Sequence, residues 1–273
     1  MALETVEQLF GTEAGLCYMN SAGHVQWMVQ QACGEEPILA SYALRVAAAF
    51  FVRLAAASAQ QGGHRLLQQV WGDQKPLIAQ FLEAVVQHMD SSADATRFAA
   101  LAAISTFASS SLDALCFVAG TRSDAAPETV FATPAASGGA SVLEAWTEML
   151  RLKMDVQAAV LCSMAQVMLA TDHLCRNDDD HARHAQAMLV ILRRVGEVKK
   201  KPTMSFVHSL AKQPVPVGKF AAFELYRSLA SLTKGWGLDL IFGHAEVVEY
   251  LTVSNAVFDL CSESSSIIIM CSV

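Results

Sequence analysis

The sequence predicts an all-α fold, a solenoid of stacked helix pairs, on three observations. Apolar residues recur every three or four positions in several long runs, the mark of helices with one buried face. No run alternates with period two between hairpin turn signals, so no sheet is expected. One short motif also occurs twice: Gly15–Gln31, GLCYMNSAGHVQWMVQQ, aligns without gaps on Gly237–Thr252, GLDLIFGHAEVVEYLT. Gly15/Gly237, Leu16/Leu238, Tyr18/Leu240, Met19/Ile241, Val25/Val247 and Val29/Leu251 coincide in kind.

In chain order, Gly15–Gln31 reads as a short helix, a turn and a second amphipathic helix. Leu39, Tyr42, Ala43, Val46, Ala47, Phe50 and Leu54 then form one apolar stripe on a long helix. Phe81, Leu82, Val85 and Met89 mark the apolar side of the next amphipathic helix, and Phe98, Leu101, Ala102 and Ser105 that of the next long one. Ser111–Gly120, SLDALCFVAG, is a weaker third copy of the short motif. Val156, Val160, Met164 and Val167 return to the long-helix spacing, as do Phe220, Phe223, Tyr226, Leu229 and Leu232. Pro37, Pro76, Pro202 and Pro216 each stand at the start of an apolar helical run, where a missing N–H costs nothing.

The long helices restart about every sixty residues, against roughly 40–47 for armadillo and HEAT repeats. The surplus falls in two expected insert loops, 121–141, rich in Ala, Ser, Pro and Gly, and 171–184, acidic and polar. The expectation is therefore an armadillo/HEAT-like α-solenoid, a right-handed superhelix of helix pairs, forming a single domain over 1–252. A divergent tail, 253–273, follows; its Ser-rich stretch and apolar Ile267–Met270 would leave a last repeat uncapped. A four-helix bundle is the structural alternative, and the repeated motif favours the solenoid.

Composition narrows the function. The 273 residues are 53% hydrophobic and 16% charged, with a net charge of -7, so the long-range field repels nucleic acid and anionic membrane and attracts basic partners. The opening MALETVEQLF carries Glu4 and Glu7 where a secretory signal would be basic and then apolar, and Arg45 and Arg53 interrupt the most apolar stretch. A soluble intracellular protein is expected, cytoplasmic or also nuclear. Seven scattered cysteines without a CxxC pair read as buried thiols in a reducing compartment.

Catalytic signatures are sparse: there is no GxSxG, no phosphate loop, no GxGxxG after a strand and no HExxH. The expectation is no enzyme, no cofactor and no metal. The one metal candidate is CRNDDDHARH, where Cys175, Asp178–Asp180, His181 and His184 offer mixed ligands that match no defined coordination geometry. It supports a lesser alternative, a metal-dependent enzyme. VKKKP, Val198–Pro202, reads as a solvated connection between helices. The tryptophans, Trp27, Trp71, Trp146 and Trp236, read mainly as core, with Trp27 beside Gln26 held open as a contact residue.

The polar face of the second helix of each unit is the candidate binding surface. Gln26 and Gln30, then Gln80, Glu83 and Gln87, then Glu144, Glu148 and Arg151, then Glu246 and Glu249 recur three or four apart. In a solenoid the second helices line up along the concave wall, giving an acidic, amide-rich groove. Gln26, Trp27, Gln30, Glu83, Gln87, Glu144, Glu148, Arg151, Glu246 and Glu249 are the expected partner-binding residues.

Gly11–Ala55 resembles a middle segment of the 26S proteasome non-ATPase regulatory subunit 5 family: a Gly-containing helix, a turn and a long aromatic-rich helix with a Phe-Phe pair, here Phe50 and Phe51. Gln213–Leu251 is similar to its later segment, through the Gln-Pro-x-Pro start, Trp236, Ile241-Phe242 and Val248–Tyr250. Between these ends the likeness is one of helix order. The resemblance implies an armadillo/HEAT-like assembly chaperone of the proteasome regulatory particle. Such a chaperone holds the C-terminal domain of a base ATPase subunit, alone or with other base assembly factors, and carries no catalytic residues. Family members extend further on the N-terminal side, and the pattern is left after Leu251, so a fragment is also expected.

Overall fold

The structure is a computed structural model that describes residues 8–34, 36–59, 75–121 and 142–253. Among these it holds thirteen α-helices and no strand. They are α1 (Glu13–Ser21), α2 (His24–Ala32), α3 (Pro37–Ala59), α4 (Lys75–Met89), α5 (Asp94–Ala108), α6 (Leu112–Ala119) and α7 (Val142–Glu148). A single 3-10 turn, Met149–Arg151, leads into α8 (Met154–Asp172), followed by α9 (Asp178–Lys199), α10 (Thr203–Ala211), α11 (Pro216–Ala230), α12 (Trp236–Phe242) and α13 (Ala245–Val253). The prolines act as starters: Pro37 and Pro216 open α3 and α11, Pro76 is second in α4, and Pro202 immediately precedes α10. Side-chain caps fix three other starts, where Thr12, Ser111 and Asn177 accept the N–H of Gly15, Ala114 and Asp180 at 3.1, 3.1 and 2.8 Å.

The long helices α3, α5, α8 and α11 lie side by side, each against the next. A second row runs α2, α4, α7, α9, α10, α13 in the same neighbour-to-neighbour manner. Pairs α2–α3, α4–α5 and α10–α11 tie the rows together, and the short helices α1 and α12 each pack on a pair member of both rows. The helices of the first row begin at 37, 94, 154 and 216, the spacing read from the sequence, while α4 and α9, of 15 and 22 residues, are as long and belong to the second row.

The repeated motif has a repeated structural cause. A Cβ added to Gly15 would stand 2.8 Å from the Leu9 carbonyl carbon, and one added to Gly237 would stand 2.8 Å from that of Leu229. Only a residue without a side chain lets α1 and α12 turn so tightly off the preceding segment. The aligned partners are buried in both copies: Met19 and Ile241, Val25 and Val247.

An aromatic chain runs through the N-terminal half. Phe10, Phe50, Phe51, Phe81 and Phe107 follow one another with ring centroids 5.5, 5.7, 5.3 and 6.0 Å apart. The adjacent Phe50 and Phe51 face different neighbours, Phe10 before α1 and Phe81 of α4, so the pair joins three elements. At the other end Tyr250 of α13 stacks on Phe223 of α11, meets the His208 ring of α10 and donates its hydroxyl to the Ala211 carbonyl at 2.9 Å.

Several expectations need correction. Tyr42 and Phe98 are exposed, and Ala102 points outward; the rest of the expected stripes is largely buried, with Ala43, Ala47, Phe50 and Leu54 on α3 and Leu101 and Ser105 on α5, and the core face also takes in Ala40, Leu44, Ala48 and Phe51 on α3 and Ala100, Ala103, Ile104 and Phe107 on α5. The insertion expected over 171–184 is mostly helix: α8 runs to Asp172 and α9 starts at Asp178, capped by Asn177 with Asp178–Asp180 in its first turn, where acids favour the helix dipole. Residues 122–141, Trp71 and 254–273 lie outside the described residues. The most apolar stretches, Pro37–Leu54 and Met154–Asp172, are long and apolar enough to cross a membrane, with mean hydropathy 1.5 and 1.3, despite Arg45 and Arg53; half or more of each is buried against other helices.

Candidate binding surface

All ten expected contact residues fall on the second row or the turn that extends it. Gln26, Trp27 and Gln30 lie on α2, Glu83 and Gln87 on α4, Glu144 and Glu148 on α7, Arg151 in the 3-10 turn, and Glu246 and Glu249 on α13. Eight are exposed; Glu144 and Glu148 are half-buried. α2, α4 and α7 are successive neighbours, so Gln26 to Arg151 share one continuous stretch of the row. α9 and α10 separate it from α13, so Glu246 and Glu249 stand at the row's far end. The 22-residue α9, part of which the sequence reading assigned to a loop, is one of the two helices between them.

The charge is less uniform than expected. Glu144 pairs with Arg194 of α9 at 3.5 Å, Arg194 with Glu197 at 3.0 Å, and Glu148 with Arg151 at 2.8 Å. Such exposed pairs contribute only about 0–1 kcal/mol each to stability, but they neutralise the acids between α7 and α9. Glu83, Glu246 and Glu249 form no ion pair among the described residues and carry the negative field of this row. The exposed side of α9 adds Gln186, Leu189, Arg193 and Glu197, which the sequence reading missed although they recur three or four apart.

The tryptophans divide as their surroundings dictate. Trp146 is fully buried and donates its Nε1–H to Ser163 at 3.1 Å, joining α7 to α8. Trp236 is half-buried beside His184. Trp27 is 54% exposed, one helical turn from His24, whose ring lies 5.7 Å from that of the equally exposed Tyr18. Two aromatic side chains thus flank His24 at the α1–α2 end of the row.

The basic run and the cysteines have structural places. Lys199 donates to the Leu150 carbonyl at 2.9 Å and lies over the Phe206 ring, Lys200 ends α9 in the left-handed conformation at φ 54°, and Lys201 reaches Ser209 at 3.0 Å. Cys17, Cys33, Cys116, Cys162 and Cys175 are thiols with no bond between any two. Cys33, Cys116 and Cys175 have pKa values raised by burial, Cys175 to about 11 with help from Asp172 and Asp180, so they are poor nucleophiles near neutral pH.

The CRNDDDHARH candidate comes apart in three dimensions. Asp180 accepts the Arg176 N–H at 3.1 Å, Asp178 pairs with Lys234 at 2.7 Å, and the Cys175 thiol lies 3.4 Å from the Thr171 carbonyl. His181 and His184 instead turn toward Asp172 at the end of α8. Among the described residues no group of three or more His, Cys, Asp and Glu side chains is placed to hold a metal ion. No family model matches this chain, and no curated protein and no solved structure matches it.

Proposed function

We propose that this chain is an α-solenoid protein-binding scaffold. Its supporting observation is the second row: helices stacked neighbour to neighbour, with exposed polar side chains at helical spacing on α2, α4, α9 and α13 and half-buried ones on α7 and α10, and with the Gly15 and Gly237 turns recurring at its two ends. A row of this kind offers an extended surface in which no single position dominates, suited to another folded protein more than to a small molecule. The net charge of -7 and the exposed Glu83, Glu246 and Glu249, without an ion pair among the described residues, favour a basic partner surface.

The family resemblance supplies a client for that surface. On this reading the protein is an assembly chaperone of the 26S proteasome regulatory particle base and holds the C-terminal domain of one base ATPase, with Trp27 and the α4 face among its contacts. The test is calorimetry of the purified chain against the separately expressed C-terminal domain of each base ATPase, at two salt concentrations. Selective binding to one domain, weakened by salt and by Glu83→Lys, supports the reading. Binding to none of them by a chain that circular dichroism shows to be helical sinks the proteasome client and leaves a scaffold for a different partner.

A further inference from the structure

Positive charge gathers at one end of this acidic chain. Residues 149–157 and 199–219 hold seven Lys and Arg and a single acid, Asp155, while the whole chain carries -7. Three contacts bring these segments together where α8 and α11 begin and α9 ends. Lys199 of α9 donates to the Leu150 carbonyl at 2.9 Å. Lys199 and Lys201 lie over one Phe206 ring of α10, 4.6 and 5.5 Å from its centroid. A Cβ on Gly218 of α11 would meet the Met154 sulfur of α8 at 2.9 Å and Leu210 of α10 at 3.9 Å.

The cations here outnumber their partners. Arg151 pairs with Glu148, Lys153 with Asp94, and the nearby Glu197 is taken by Arg193 and Arg194. Lys199, Lys200, Lys201, Lys212 and Lys219 form no ion pair among the described residues, and all but the half-buried Lys199 are exposed. Lys212 shares the neighbourhood of His208 with Glu246 of α13, the acid that bounds the patch on that flank. Burial, together with the Lys201 charge, holds the Lys199 pKa below its ordinary value, as two ammonium groups over one ring require. No side chain caps the start of α8 or α11, so their first-turn N–H groups add positive potential at the same end.

Aliphatic side chains stand among the lysines. Leu152 and Val215, each on extended backbone at a helix start, and Val217 in the first turn of α11 are 36%, 41% and 38% exposed. We propose that this end of the solenoid is a docking surface for an acidic protein segment in which carboxylates alternate with aliphatic side chains. The carboxylates meet the lysines and the helix starts, and the aliphatic residues cover Leu152, Val215 and Val217. Other anionic partners fit less well. Single-stranded nucleic acid stacks its bases on exposed rings, and lipid interfaces favour Trp and Tyr. The two segments contain no Trp or Tyr, and their single Phe, Phe206, is 2% exposed beneath the lysines. The acidic faces of α2, α4 and α13 take no part in this docking, which stands whichever client the second row binds.

The experiment follows the fluorescence anisotropy of a labelled Glu-Glu-Leu repeat peptide titrated with the full chain at low and at physiological salt. Saturable binding that weakens with salt is expected. Lys201→Glu with Lys219→Glu should weaken it about thirtyfold, whereas Arg45→Glu with Arg53→Glu, an equal charge change on the exposed side of α3, should leave it within about twofold. On the wild-type chain a Gln-Gln-Leu peptide should not bind, and a Glu-Glu-Ser peptide should bind about fivefold more weakly, readings that do not depend on how a variant folds. No binding of the Glu-Glu-Leu peptide at low salt, or equal losses in the two double variants, overturns the proposal. So does tighter binding of single-stranded RNA or of phosphatidylserine–phosphatidylcholine vesicles than of the peptide, which would assign the patch to phosphates. A wild-type dimer that Lys201→Glu with Lys219→Glu dissociates would assign it to a second copy of the chain and overturn the proposal as well.

Discussion

Gly237→Ala tests the tightest packing in the fold. A Cβ at this position stands 2.8 Å from the Leu229 carbonyl carbon and 2.9 Å from its Cα, where ordinary contact begins at 3.4 Å. The nearest obstacle is the Leu229 carbonyl oxygen, backbone at the end of α11, so no side chain can swing aside and α12 itself must retreat. That retreat loosens Ile241 and the packing of α13 behind it. Overpacking of this kind costs about 3 kcal/mol, the upper part of its usual range. For a chain of this size each kcal/mol lowers Tm by roughly 2–4 °C, so the loss should be about 6–12 °C. Thermal melts followed by circular dichroism measure it. Gly15→Ala, which meets Leu9 in the same way, should behave alike, whereas Gly243→Ala, whose Cβ meets the Asp239 carbonyl oxygen at 3.2 Å, should be almost silent. Wild-type melting of Gly237→Ala would refute both the packing argument and the structural equivalence of the two motifs.

Three more outcomes are expected. Phe51→Ala removes the fully buried link between Phe50 and Phe81 and should cost about 4 kcal/mol in denaturant unfolding, one of the largest single losses in the chain. Lys200→Gly relieves the left-handed backbone at the end of α9 without losing a buried side chain, and should stabilise by about 1 kcal/mol in the same assay. Trp27→Ala should leave unfolding within about 0.5 kcal/mol of wild type, because the ring is exposed, yet weaken partner binding by about 2 kcal/mol, or thirtyfold in Kd.

Helix class and the long-helix register were legible because apolar spacing reports which residues a helix buries. Val156, Val160, Met164 and Val167 are all fully buried, and Met19, Ile241, Val25 and Val247 hold equivalent places in the repeated motif. The faces of α3 and α5 were harder to read. Both helices are apolar nearly all round, so Tyr42 and Phe98 fit the spacing as well as the true core residues do, and only packing against α5 and α8 distinguishes them. The 171–184 segment misled for another reason: its acids suggest a solvated loop, although three aspartates after an Asn cap are a helix-start signal. Spacing alone put the expected contact residues together on one row of helices. Their ion pairs were not foreseeable, because Arg194 lies fifty residues from Glu144 and only the α7–α9 neighbourhood brings them together. The hydrogen bonds of Thr233 to Asp172 were likewise invisible, since Thr233 reaches it from 61 residues away.

The row of long helices also has a mechanical consequence. α3 touches α5, α5 touches α8 and α8 touches α11, so within this row the two ends are joined through three lateral junctions in series. Compliances in series add, and a slide of a few tenths of an ångström at each junction becomes about an ångström at the far helix, with every side chain remaining in its rotamer. The row can thus change its span by small elastic shears, without unfolding any helix.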